Sequence, residues 1–133
     1  MSKYLVKTEV GKQEWQQFNQ AGEHVFVSDD AKHQTGPSPV ELLCGAVNSC
    51  ICMSAAMIIK AHKMNVTNFA VENNAETSNL GHGKSIVSKM HLNVSFDSDL
   101  DDEERQSFLK HVLHVSTVYQ TVAQGMQIEV ELG

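Results

Sequence analysis

The stretch Gly36-Pro37-Ser38-Pro39-Val40-Glu41-Leu42-Leu43-Cys44-Gly45-Ala46-Val47-Asn48-Ser49-Cys50 decides how the chain folds. Ser38 can accept a backbone N–H as an N-cap. Pro39 suits the first helical position, where its missing donor would have no partner anyway. From Val40 to about Lys63 only Gly45 weakens the helix, by about 1 kcal/mol relative to alanine. Leu42 to Ile59 are eighteen consecutive uncharged residues. A helix apolar around most of its circumference is buried on most sides, in a bilayer or in a protein core. A bilayer span takes about 20 apolar residues. Here Asn48, Ser49 and Ser54 interrupt the run, and strand-like segments flank it without a basic bias. The core is the better burial. A helix of roughly 35 Å is more than so small a domain can surround, so a second copy of the chain is expected to cover its exposed side.

Outward from the helix the pattern is that of strands. Tyr4, Val6, Thr8 and Val10 alternate with Lys3, Lys7 and Glu9, and shorter segments follow around Trp15 to Phe18 and Val25 to Val27. A polar loop runs from Ser28 to Thr35. Beyond the helix, Val66 to about Thr77 and Lys84 to Phe96 read as a hairpin joined by Ser78 to Gly83. Asp97 to Glu104 then opens a second helix, capped by Ser98 or Asp99, with acidic residues at the positive end of its dipole. A short third helix is expected from Ser116 to Gly125, turning Val118, Val122 and Ala123 inward. Ile128, Val130 and Leu132 close the chain as a last strand. The whole is expected to be one α+β domain over residues 1–133, with no internal repeat.

Composition excludes several functions. Sixteen acidic residues against ten basic ones give a formal charge of −6, and Arg105 is the only arginine. Phosphate-backbone binding relies on Lys and Arg, so nucleic acid is excluded as the leading partner. Three cysteines within nine positions form neither a disulfide framework nor a zinc-binding CxxC pair. The opening MSKYLVKTEV lacks the apolar stretch of a signal peptide, and a reducing cytoplasm is the expected location.

Motif fragments resolve into structure. Gly83-Lys84-Ser85 resembles the end of a phosphate-binding loop, but the required first glycine is Ser78 and a strand follows. Asp97-x-Asp99-x-Asp101 opens like a calcium loop, yet Asp102 and Phe108 stand where Gly and Glu are needed. His111 and His114 share a helix face without a further ligand nearby in sequence. His24, His33, His62, His82 and His91 are expected at the surface or in structural roles. No metal and no cofactor is expected. Read by spacing alone, Cys44, Cys50 and Cys52 are small core residues.

The run Gly36-Pro37-Ser38-Pro39-Val40-Glu41-Leu42-Leu43, leading to a cysteine nine positions after Glu41, resembles the signature of the OsmC/Ohr family. These are the osmotically inducible protein C and organic hydroperoxide resistance proteins. The resemblance implies an intertwined homodimer, with two long central helices wrapped by antiparallel sheets from both chains. It implies a thiol-dependent peroxidase in oxidative-stress defence, with an organic hydroperoxide as substrate and a dithiol as reductant. Cys50 falls at the peroxidatic position, and Glu41 belongs to the signature. The alternative is a non-catalytic dimer that binds a small hydrophobic or electrophilic ligand at the interface.

The chain departs from the family pattern at three places. Ser116 stands where the resolving cysteine of a Cys-Pro-Val-x-x-x-Leu run is expected, leaving resolution to Cys52, if the helix opened, or to an external thiol. Val40 stands where hydroperoxide-resistance members carry a Glu. No arginine lies in the N-terminal sheet. Cys50, about three turns into its helix, gains little from that helix's dipole, so a sluggish nucleophile is expected.

Overall fold

A computed structural model of the chain describes residues 1–32 and 35–133. His33, and with it part of the expected polar loop, lies outside them. Among the described residues the fold is α+β, with three helices and two antiparallel sheets. It divides into two compact units, Met1–Leu43 and Cys44–Gly133.

In the first unit, β1 (Lys7–Val10), β2 (Gln17–Ala21) and β3 (His24–Ser28) form an antiparallel sheet in that order. Asn19 on the central strand is buried, and its amide nitrogen donates to Ser28 Oγ at 3.0 Å and to the Phe26 carbonyl at 3.2 Å. The Asp29 N–H donates to the Pro37 carbonyl at 3.0 Å, which lays the Gly-Pro-Ser-Pro run against the end of β3. Gly36 is required there: a Cβ would collide with the Val27 carbonyl.

Helix α1 (Pro39–His62) starts in this unit and carries the chain into the second. There β4 (Val66–Gly81) and β5 (Lys84–Ser98) pair over nearly their whole length. The turn is tighter than the expected connection from Ser78 to Gly83. His82 and Gly83 both take positive φ, 55° and 76°, as a two-residue hairpin turn demands. Alternation along β5 leaves Met90, Leu92, Val94 and Phe96 half-buried and their neighbours exposed, so one face of the hairpin meets the core. That core is built on Val47, Ile51, Ala55 and Ile58 of α1, Val66 of β4, and Phe108 and Val112 of α2 (Asp102–His114). Phe69, Phe96 and Phe108 pack ring against ring at its edge.

Three expectations need correction. The cap of α2 is Asp101, because β5 is still paired with β4 as far as Ser98. Its carboxylate accepts from the Glu104 N–H at 2.8 Å, while Glu104 Oε1 accepts from the Asp101 N–H at 3.2 Å. In α3 (Thr117–Gln124), Val118 and Tyr119 meet the core, whereas Val122 and Ala123 are exposed. Residues 125–133 form no strand. An alternating apolar pattern makes a strand only when a neighbour supplies hydrogen-bond partners, and no described strand pairs with this segment.

Candidate functional site

The site is assembled from the part of α1 that follows Leu43 and the start of α3, both within the second unit. Along this part of α1 one face is buried, formed by Val47, Ile51, Ser54, Ala55 and Ile58. The opposite face is exposed and uncharged, with Gly45, Ala46, Ser49, Met53, Ala56 and Met57. Cys50 sits on the flank between them and is half-buried. Cys44 and Cys52 are half-buried as well, so none of the three is the sealed core residue that spacing suggested.

Across from Cys50, α2 ends and α3 begins. Ser116, 0% exposed, is the N-cap of α3, yet its hydroxyl does not cap that helix. It donates instead to the Val112 carbonyl at 2.7 Å, and the Ser116 N–H donates to the Leu113 carbonyl at 3.2 Å. The first amides of a helix have no intrahelical partner. One of them, the Val118 N–H, donates to Cys50 Sγ at 3.3 Å. The sulfur thus takes the acceptor position that a capping side-chain oxygen would fill. A helix N-terminus carries partial positive charge, and a thiolate is the nucleophilic form of cysteine. The Val118 amide is thus the polar group that the start of α3 presents to the sulfur.

This arrangement is not legible in the sequence. The contact joins residues 68 positions apart, and no local spacing announces it.

The other candidate residues are not brought to the sulfur. Cys52 is two residues on, about 200° around the helix, so its side chain leaves in nearly the opposite direction. Glu41 lies nine residues earlier on α1, roughly 13.5 Å along the axis. It is tied to Ser38 in a reciprocal capping box: Glu41 Oε1 accepts from the Ser38 N–H at 2.9 Å, and Ser38 Oγ accepts from the Glu41 N–H at 3.3 Å. The Ser38 N–H, with its hydroxyl adding, holds the Glu41 carboxyl below its ordinary value of 4.5. The Pro-x-Glu part of the signature therefore starts the long helix. Arg105 stacks on Phe96 at 4.1 Å and donates to Ser98 Oγ at 3.0 Å and to the Phe96 carbonyl at 3.3 Å.

His111 and His114 part company. The ring of His111 meets that of His62 edge-on at 6.4 Å, beside a cavity of about 320 Å³ lined also by Ile58, Met64 and Phe108. His114 lines a different cavity with Thr117 and Gln120. Among the described residues no group of three or more His, Cys, Asp or Glu is placed to hold a metal ion.

Comparison with known proteins agrees with this architecture. No curated protein sequence matches the chain. An OsmC-like protein from Mycoplasma pneumoniae has a similar structure, with a TM-score of 0.82 and 16% identity over 92% of this chain and 88% of that one. One of unknown function from Vibrio cholerae gives a TM-score of 0.74 at 12% identity, over 91% and 94% of the two chains. An organic hydroperoxide resistance protein from Elizabethkingia anophelis gives 0.69 at 13% identity, over 92% and 89%. The family model described as OsmC-like protein matches residues 30–131, which hold the Gly-Pro-Ser-Pro run, Cys50 and α3 alike, and on that match the chain belongs to the OsmC-like protein family.

Proposed function

We propose that the protein is a thiol-dependent peroxidase that reduces organic hydroperoxides in oxidative-stress defence, with Cys50 as its nucleophile. The observation that carries this reading is the Val118 N–H on Cys50 Sγ. The Cys50 thiolate attacks the terminal oxygen of the hydroperoxide. The O–O bond breaks, the departing alkoxide takes a proton and leaves as the alcohol, and the sulfur becomes a sulfenic acid. Sulfur is oxidised by two electrons and the peroxide reduced by two. The name of the Elizabethkingia relative, an organic hydroperoxide resistance protein, supports the substrate class.

The working unit is a homodimer. The exposed face of α1 supports this, since Met53 and Met57 are 63% and 66% exposed in a run without charge. Contiguous exposed apolar surface marks an interaction site. Ile128, Val130 and Leu132 are exposed too, and they keep the alternation of a strand waiting for a neighbour. Thiol cycling needs reducing conditions, and we place the protein in the cytoplasm.

The test is turnover. Incubation with cumene hydroperoxide and dithiothreitol should consume peroxide in the wild type and not in Cys50→Ser. Absence of turnover in the wild type would overturn the reading in favour of a dimer that binds a small hydrophobic or electrophilic molecule.

A further inference from the structure

We infer that the oxidised Cys50 is resolved by a thiol of another molecule, so that a mixed disulfide between Cys50 and an external low-molecular-weight thiol is an obligatory intermediate. This rests on the peroxidase reading and specifies its reductant.

The chain has three cysteines, Cys44, Cys50 and Cys52, and all lie on α1. A disulfide needs Cα atoms no more than about 7 Å apart and Cβ vectors that converge. Cys44 is six residues from Cys50, about 9 Å along the axis before any lateral separation. It is out of reach. Cys52 is close enough along the axis, but its Cβ points about 200° away from that of Cys50. Bridging either pair requires α1 to unwind where Ile51, Ser54 and Ala55 are buried in or beside the core. Losing buried contacts of that kind costs several kcal/mol.

The start of α3, which reaches Cys50 Sγ, brings no thiol. The N-cap of α3, two positions before the sulfur's amide donor, is Ser116, buried, with its hydroxyl donating to the Val112 carbonyl. A serine oxygen cannot close a disulfide, so a sulfenic acid formed at Cys50 meets no partner in its own chain. Cys50 itself is half-buried rather than sealed in the core.

The balance is as follows. An external thiol attacks the Cys50 sulfenic sulfur, an S–S bond forms, the S–O bond breaks, and water leaves. A second external thiol attacks the external sulfur of that mixed disulfide. Cys50 is released as a thiol, and the two external molecules leave joined as a disulfide. Per cycle one hydroperoxide gains two electrons and two thiols lose one each.

The experiment follows the full-length protein by intact and peptide mass spectrometry. One equivalent of cumene hydroperoxide is added without thiol, in the presence of dimedone, and in a parallel sample glutathione follows the peroxide. The inference expects a dimedone adduct on Cys50 in the first sample and a glutathione mixed disulfide on Cys50 in the second. A disulfide from Cys50 to Cys44 or Cys52, within one chain or between two, overturns the inference and leaves the peroxidase reading standing. Cys50 unmodified by peroxide in both samples overturns the peroxidase reading and the inference with it.

Discussion

The backbone N–H of Val118 donates to Cys50 Sγ at 3.3 Å, joining the first turn of α3 to the flank of α1 across 68 positions of sequence. The sulfur stands in for a cap that Ser116 does not provide, because the Ser116 hydroxyl is turned back onto α2. If Cys50 is the nucleophile proposed above, the atom that caps α3 is also the reacting one.

Val118→Pro tests that link by removing the donor N–H. Proline is tolerated in a helix's first turn, although it biases Thr117 away from the helical region. A hydrogen bond to a charged group contributes about 1.5–3 kcal/mol. Peroxide turnover should therefore fall about ten- to a hundredfold. Val118→Ala keeps the N–H and should keep the rate. Circular dichroism of both variants separates a lost donor from a lost helix, and equal rates in the two would contradict the role given to the amide.

Ser116→Cys places a thiol at the N-cap of the helix whose first turn donates to Cys50. Under hydroperoxide this variant should form an intrachain disulfide between positions 116 and 50, visible after non-reducing digestion. The wild type should form none. The substitution also removes the bond to the Val112 carbonyl, and leaving a buried group unpaired costs about 1–3 kcal/mol, so a lower unfolding midpoint is expected.

The capping box at the start of α1 makes a pH prediction. The Glu41 carboxyl is held below its ordinary value of 4.5, first by the Ser38 N–H and then by its hydroxyl. The folded state thus binds its proton less readily than the unfolded chain. The stabilisation is fully present above the unfolded value and is lost as pH falls through the folded one. Thermal unfolding followed from neutral pH into acid should show a falling midpoint, and Glu41→Gln should flatten part of that fall. At neutral pH, Ser38→Ala should cost about 1 kcal/mol.

Much of this was legible in the sequence, and the reasons are local. Ser38, Pro39 and the uncharged run specify α1 by capping and composition, and alternation specifies the β4–β5 hairpin. The signature Gly36-Pro37-Ser38-Pro39-Val40-Glu41 also has physical content: Gly36 permits close approach to Val27, and Glu41 completes the cap. What was not legible depends on distant pairing. Ile128, Val130 and Leu132 read as a strand, but a strand also needs a neighbour. The cap of α2 slipped from Ser98 or Asp99 to Asp101 because pairing with Val66 kept the chain extended as far as Ser98. The donor on Cys50 arises only when α3 is folded back against α1.

The exposed face of α1 carries the oligomer prediction. Met53 is 63% exposed at the middle of that uncharged face. A lysine there costs the isolated chain little, since it remains in water, but it would bury a charge in any interface formed on this face. In sedimentation velocity the wild type should be a dimer and Met53→Lys should shift toward monomer. A wild-type monomer, or a variant that dimerises equally well, would contradict this use of the face.

The central claim is that position beside α3, rather than cysteine chemistry in general, makes Cys50 the reactive thiol, and the three cysteines of α1 provide their own controls. The direct measurement is the rate at which each is oxidised by substoichiometric cumene hydroperoxide, followed by peptide mass spectrometry with dimedone trapping. Cys50 should react first, with Cys44 and Cys52 still reduced when its modification is complete. Oxidation of all three at similar rates, or of Cys44 or Cys52 ahead of Cys50, would contradict the account.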